Sequence, residues 1–199
     1  QAIQGGIAIV GTRKANDHRK EFVRTKIAKR LVELDEVVIS GLALGIDGAA
    51  HQGTLDNGGR TTAVLAGHIE DIHPPSNRDL ADKIPDNGAL VSEVSSNVRS
   101  HGGRFIERNR ITSGLADAVI IGASGETGGT IHQAEYASQQ EKPRLIYERE
   151  DMKDGQTPAK VKNMGFVGFS TLKEMENLIK NHEPQEDNGP SHQTLDDFA

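Results

Sequence analysis

The sequence contains no cysteine and no tryptophan, and only 4% of its residues are aromatic. Without cysteine there are no disulfides, no thiolate metal ligands and no cysteine nucleophile, a pattern that suits a reducing cytoplasm. Long apolar runs are missing too. None approaches the roughly 20 residues needed to span a bilayer, and no signal-peptide pattern opens the chain, so a soluble protein with no membrane partner is expected. His68, His73 and His101 lie on loop-like stretches without ligand spacing, which argues against a metal site. No GxGxxG spacing follows Val10 and no GxxxxGK[ST] loop occurs, so hydride transfer and ordinary nucleoside-triphosphate hydrolysis lose support. Nor is there an internal repeat or an excess of positive charge: the net charge is −6. Residues 183–199 carry five of the acids and no Lys or Arg, which leaves the remainder at −1. Arg13-Lys14, Arg19-Lys20 and the stretch from Arg104 to Arg110 can still form a basic face.

What is present is a 35% hydrophobic fraction gathered into compact runs of Ile, Val, Leu and Ala, in a chain of 199 residues. That supports one sizeable core, assigned here to residues 1–182, with 183–199 an acidic tail too poor in apolar residues to pack and predicted to be disordered. Ile7 to Val10 reads as a strand covered on both faces, followed by a helix capped by Asn16 or Asp17 whose apolar positions run Phe22, Val23, Ile27, Leu31, Leu34. Val37 to Ile39 is a second strand, and Asp47 stands where the N-cap of the next helix belongs. Further strands are predicted at Thr61–Ala66, Ala89–Ser92, Leu115–Ile121 and Pro143–Tyr147. A short helix follows Pro74-Pro75, a polar loop runs from Val94 to Gly103, and helices capped by Thr157 and Ser170 close the series. Strands alternating with helices through short loops predict an α/β, Rossmann-like doubly wound, mostly parallel sheet with helices on both faces. Ligands in such sheets sit beyond the carboxyl ends of the strands.

Several candidate binding groups fall at those ends. Gly11-Thr12-Arg13-Lys14 follows the first strand and offers a turn, a hydroxyl and a guanidinium suited to bidentate phosphate contact. Ser40-Gly41 ends the second. Arg108-Asn109-Arg110 opens a helix-like run in which one arginine can pair with Glu93 or Asp117 while the other faces ligand. After the Leu115 strand comes a glycine-rich turn, Gly125 to Thr130, leading into a helix from Ile131. A strand, a glycine turn and a helix start make an anion cradle, because exposed N–H groups and the helix dipole both favour negative charge. Glu126 within that turn is an acid unwelcome beside a phosphate unless it points away. His51 lies one helical turn from Asp47, close enough for a hydrogen bond whose expected role is structural rather than catalytic.

Seven motifs stand in order: IAIVGTR at Ile7–Arg13, VVISGLALGIDGAAH at Val37–His51, TTAVLAG at Thr61–Gly67, HPPSNRDL at His73–Leu80, GALVSE at Gly88–Glu93, ERNRITSGLADAVIIGAS at Glu107–Ser124 and GGTIHQA at Gly128–Ala134. This series resembles the DNA-processing protein A family, also called DprA or Smf. The resemblance implies a Rossmann-like core of the SLOG type that forms a homodimer, binds single-stranded DNA without strong sequence preference and hands it to a recombinase during natural transformation, with no bond-making chemistry and no cofactor. It implies that Arg13 contacts phosphate and that Ser40-Gly41, Arg108-Asn109-Arg110 and Gly128-Gly129-Thr130 line the same pocket. Two alternatives share this sort of fold: a nucleotide-binding sensor, and a nucleotide phosphoribohydrolase resembling the LOG family. The catalytic glutamate of the latter falls on Gln133 here, and an amide cannot take a proton as a carboxylate does.

Overall fold

The computed structural model describes residues 5–95, 102–148 and 158–181. The tail assigned to 183–199, the Thr157 cap and most of the Val94–Gly103 loop lie outside those residues. Seven parallel strands form one sheet in the order β4-β3-β2-β1-β5-β6-β7. They are β1 Gly6–Gly11, β2 Val38–Ser40, β3 Thr61–Val64, β4 Gly88–Val91, β5 Ala116–Ala123, β6 Arg144–Tyr147 and β7 Val167–Phe169. The expected doubly wound fold is therefore present, with β7 in addition.

Side chains alternate across the central strands, so each face has its own core. Ile7 and Ile9 of β1 pack with Val38, Ala118 and Ile120 beneath a helical run over 17–33. That run comprises α1 Asp17–Phe22, a π-type segment Val23–Ala28 and α2 Lys29–Glu33, and it sends Val23, Ile27 and Leu31 inward. α3 (Ile46–Asp56) and α8 (Leu172–Lys180) complete this layer through Ile46, Ala50 and Met175. Ala8 and Val10 point the other way, onto Ile131, Ala134 and Ala137 of α6 (Gly129–Gln139), with α5 (Gly102–Gly114) and α7 (Ala159–Asn163) beside it. α4 (Arg78–Lys83) covers the β3–β4 side, where Ala81 and Ile84 meet Ala63 and Leu65.

Local boundaries differ from expectation in instructive ways. Of the two residues expected to cap α1 it is Asn16 that does so, its side chain accepting from the Arg19 N–H at 2.9 Å. α3 has Gly45 at its N-cap rather than Asp47, which sits in the first turn. Thr171, not Ser170, caps α8, closing a reciprocal box with Glu174. α5 begins at Gly102, well before the Arg108 motif that was expected to open it.

The order of strands decides where a ligand can sit. From β1 the chain winds outward through β2, β3 and β4, then returns to the other side of β1 as β5 and winds outward again. The loops after β1 and β5 therefore leave in opposite directions and open a crevice between them.

Candidate functional site

A cleft of about 790 Å³ occupies that crevice. Its floor is the end of β1, where the Thr12 N–H donates to Ala123 O of β5 at 2.9 Å and the Thr12 hydroxyl accepts from the Lys14 N–H at 3.2 Å. Arg13 and Lys14 project from this turn and are exposed. Arg13 lies over the Phe105 ring, 5.1 Å from its centroid, and His73 meets the same ring at 5.1 Å between centroids.

One wall is a single face of α5. Phe105, Arg108, Asn109 and Thr112 all line the cleft, and their spacing of three, four and seven residues places them on one side of the helix. Arg110 is off that face. It is exposed, pairs with Glu93 and does not line the cleft, so its expected place beside the other two motif residues is corrected. The alternative that one arginine of the pair engages Glu93 holds for Arg110. Asn109 donates to Gly129 O at 3.2 Å, which ties the wall to the glycine turn, and Gln133 donates to Asn109 O at 3.1 Å.

The opposite lip is the turn after β5. Gly128 has φ 105° and ψ −166°, a conformation essentially restricted to glycine, and it starts α6 without any side-chain cap. Gly128 and Gly129 are exposed, nothing stands where their Cβ atoms would be, and both line the cleft with Thr130. An uncapped, eleven-residue helix thus turns its first N–H groups and the positive end of its dipole to the cleft. Glu126, the acid of that turn, also lines the cleft.

Ser40 is the second residue to be corrected. Its hydroxyl donates to Ile9 O at 2.6 Å and the residue is fully buried, so it staples β2 to β1 and does not reach the cleft. Gly41 does line the cleft, and its peptide is held from both sides. The N–H donates to Asp47 Oδ2 at 3.2 Å, and the carbonyl accepts from Arg108 Nη1 at 2.6 Å; the same nitrogen also donates to Val64 O. A Cβ on Gly41 would overlap the Arg108 guanidinium.

Buried charge governs the electrostatics below the floor. Burial pushes the Asp47 carboxyl above its ordinary pKa, against the pull of Arg108 and of N–H groups from Ala43, Gly11 and Gly41. Burial also lowers Arg108, with Asp47 opposing and the Arg13 charge reinforcing the shift. The guanidinium stays protonated, so Arg13 and Arg108 are like charges facing one cleft, a situation an anion relieves. His51 does not bond Asp47. Its Nδ1 contacts Thr61 Oγ1 at 2.7 Å, and because that hydroxyl donates to Val38 O, the imidazole nitrogen is the donor. Burial, then Arg108, pushes His51 down to about 3, so it is a neutral core residue.

Of the residues singled out in the sequence, Gly11, Thr12, Arg13, Lys14, Gly41, Arg108, Asn109, Gly128, Gly129 and Thr130 share this cleft. Phe105, Asn16 and Thr112 were missed. The signal for Phe105 and Thr112 was present, since both fall on the helical face defined by Arg108 and Asn109. Among the described residues no group of His, Asp and Glu could hold a metal ion, and no helix is long and apolar enough to cross a membrane.

The profile of the family described as DNA recombination-mediator protein A matches residues 2–177. The chain belongs to that family. Protein Smf of Synechocystis sp. is 40% identical over 134 residues, covering 67% of this chain and 33% of that protein. The chain spans about a third to a half of the length of most of the curated relatives it matches. A solved structure of DNA processing protein A from Helicobacter pylori, described for its single-stranded DNA binding mode, superposes with TM-score 0.79 at 25% identity, over 90% of this chain and 82% of that one. The molybdenum cofactor binding protein of Rippkaea orientalis, at 18% identity and TM-score 0.64 over 91% of this chain and 98% of that one, shares the fold.

Proposed function

We propose that the cleft holds the phosphate backbone of single-stranded DNA, that the protein acts in the cytoplasm as a homodimer, and that it protects incoming DNA and passes it to a recombinase during DNA uptake, making and breaking no bond. The observation that carries this reading is the convergence of exposed Arg13 and Lys14 with the uncapped start of α6 across one cleft. Backbone amides and guanidinium groups grip phosphates wherever they occur along a strand, which gives binding without base readout. The Arg13 guanidinium, backed by the Phe105 ring, offers a plane on which any base can stack. Family membership and the Helicobacter relative support the same ligand. The hydrolytic alternative finds no support in Gln133, whose amide is engaged with Asn109 O.

Fluorescence anisotropy with labelled oligonucleotides tests the reading. Single strands should bind in preference to duplex, and affinity should fall steeply with salt as condensed counterions are released. A duplex preference, a salt-insensitive signal, or displacement of the strand by one mononucleotide at low concentration would replace this reading with a nucleotide sensor. Delivery to a recombinase is tested by adding the protein to a strand-exchange reaction started on coated single strands, where it should shorten the lag.

A further inference from the structure

Along the α5 wall of the cleft, most of the polar groups are spent on each other. Asn109 and Gln133 are used within the wall, and Arg108 Nη1 is used on Gly41 and Val64. Two groups are not. Arg108 Nε and Thr112 Oγ1 are buried with no hydrogen-bond partner among the described residues, although both side chains line the cleft. Arg108 is 6% exposed and Thr112 1%. A threonine in a helix ordinarily returns its hydroxyl to a carbonyl one turn back; this one does not, and it stands one turn from Arg108 on the face turned to the cleft. Buried polar groups left unsatisfied are costly, and a pair of them beside an uncapped helix start calls for a guest that accepts hydrogen bonds and carries negative charge.

We propose that this wall of the cleft is a seat for a phosphate monoester, the group that ends a 5′-phosphorylated strand and that nucleoside monophosphates also carry. The proposal rests on the phosphate-binding reading of the cleft and narrows it. These donors lie just beneath the wall of the cleft, and a phosphate on the tip of a ligand can press closer to them than one within a chain. A diester linkage has chain on both sides and stays in the open part of the cleft, along Arg13 and Gly128-Gly129. A monoester has one covalent neighbour, three free oxygens and roughly −1.5 to −2 charges near neutral pH, against one charge for a diester. Its oxygens can take the Thr112 hydroxyl and the Arg108 Nε–H as donors while the first N–H groups of α6 face the same anion.

The test compares dT oligonucleotides of one length with a 5′-phosphate or a 5′-hydroxyl, read by anisotropy on a label at the 3′ end. The phosphorylated strand should bind on the order of tenfold tighter, the effect of about one charge-assisted hydrogen bond. The ratio of the two affinities should fall toward one in Thr112→Val, which keeps the branched shape without the hydroxyl, and should be kept in Thr112→Ser. Thymidine monophosphate and inorganic phosphate serve as competitors. Displacement by thymidine monophosphate at high concentration only, weakened in Thr112→Val, supports the seat at strand ends; displacement at low concentration, weakened in the same way, supports the seat and makes a free nucleotide its ligand in place of DNA. Equal affinity for the two strands, or an end preference that survives in Thr112→Val, overturns the proposal while leaving backbone binding intact. If neither strand binds, the DNA reading fails on its own, and calorimetry of thymidine monophosphate against wild type and Thr112→Val decides the seat directly: binding lost in the variant supports it, and no binding, or binding equal in both, overturns it.

Discussion

Gly41 is gripped by a carboxylate on its N–H and a guanidinium on its carbonyl, so the backbone of one residue couples the buried acid Asp47 to the buried arginine of α5. Gly41→Ala places a methyl group in the space of the Arg108 guanidinium. It should destabilise the protein by about 1–3 kcal/mol, as overpacking of a filled interior does, and this would appear in urea unfolding. His51 offers a second residue-scale test. Its folded-state pKa of about 3 lies below the unfolded value, so between 6.5 and 3 the unfolded chain binds the extra proton. The stability contributed by neutral His51 is therefore complete above pH 6.5 and lost as pH falls toward 3, by about 1.4 kcal/mol per unit once well below 6.5. Asp47, raised by burial, works in the opposite sense, so the imidazole is isolated by comparison with His51→Asn, which keeps a donor for Thr61. Unfolding midpoints at pH 7 and pH 4.5 should fall further in wild type than in the variant; parallel losses would contradict the assignment.

At the scale of elements, the site is built from one helix face and one helix start. α5 contributes Phe105, Arg108, Asn109 and Thr112 because the helical repeat brings them together, and the same repeat turns Arg110 out to Glu93. α6 contributes unsatisfied N–H groups because Gly128 takes a backbone conformation that brings the chain into the helix without a capping side chain. Gly128→Ala should cost about 1–3 kcal/mol of strain and weaken strand binding, seen together in thermal melts and anisotropy. Much of this was legible in the sequence. Continuous apolar runs announced the buried strands, and the glycine turn announced the start of α6 at the edge of the cleft. β7 was not legible, since Val167-Gly168-Phe169 is three residues long with two of them exposed, too short and too open for a pattern. The start of α5 was hidden by Gly102-Gly103, which read as loop, and Asp47 read as a cap because nothing local reveals that its carboxylate is drawn to Gly41 across the turn. Ser40 was misplaced for a related reason: alternation along β2 turns it into the sheet, onto Ile9 O.

At the scale of the whole molecule, the winding of the sheet brings together residues from opposite ends of the sequence. The β1 turn and the β5 turn are far apart in the chain and adjacent in space because β5 returns to the free side of β1. That placement, and not net charge, makes an acidic chain a candidate for nucleic acid: the net of −6 is an average, whereas the cleft is lined by Arg13, Lys14, Arg19 and Arg108 against Asp47 and Glu126. Glu126→Gln should accordingly raise strand affinity, by an amount in the range of about 0.3–1 kcal/mol typical of a charge near a helix terminus, and the gain should shrink with added salt.

The most direct measurement of the central claim is the slope of log affinity against log salt concentration for single-stranded DNA in wild type, Arg13→Ala and Arg110→Ala. Loss of one phosphate contact should reduce the slope by about 0.7 in Arg13→Ala with a large drop in affinity, while Arg110→Ala, outside the cleft, should keep the wild-type slope. An Arg13→Ala protein with undiminished slope and affinity, or a slope lost in Arg110→Ala instead, would place the strand elsewhere on the molecule.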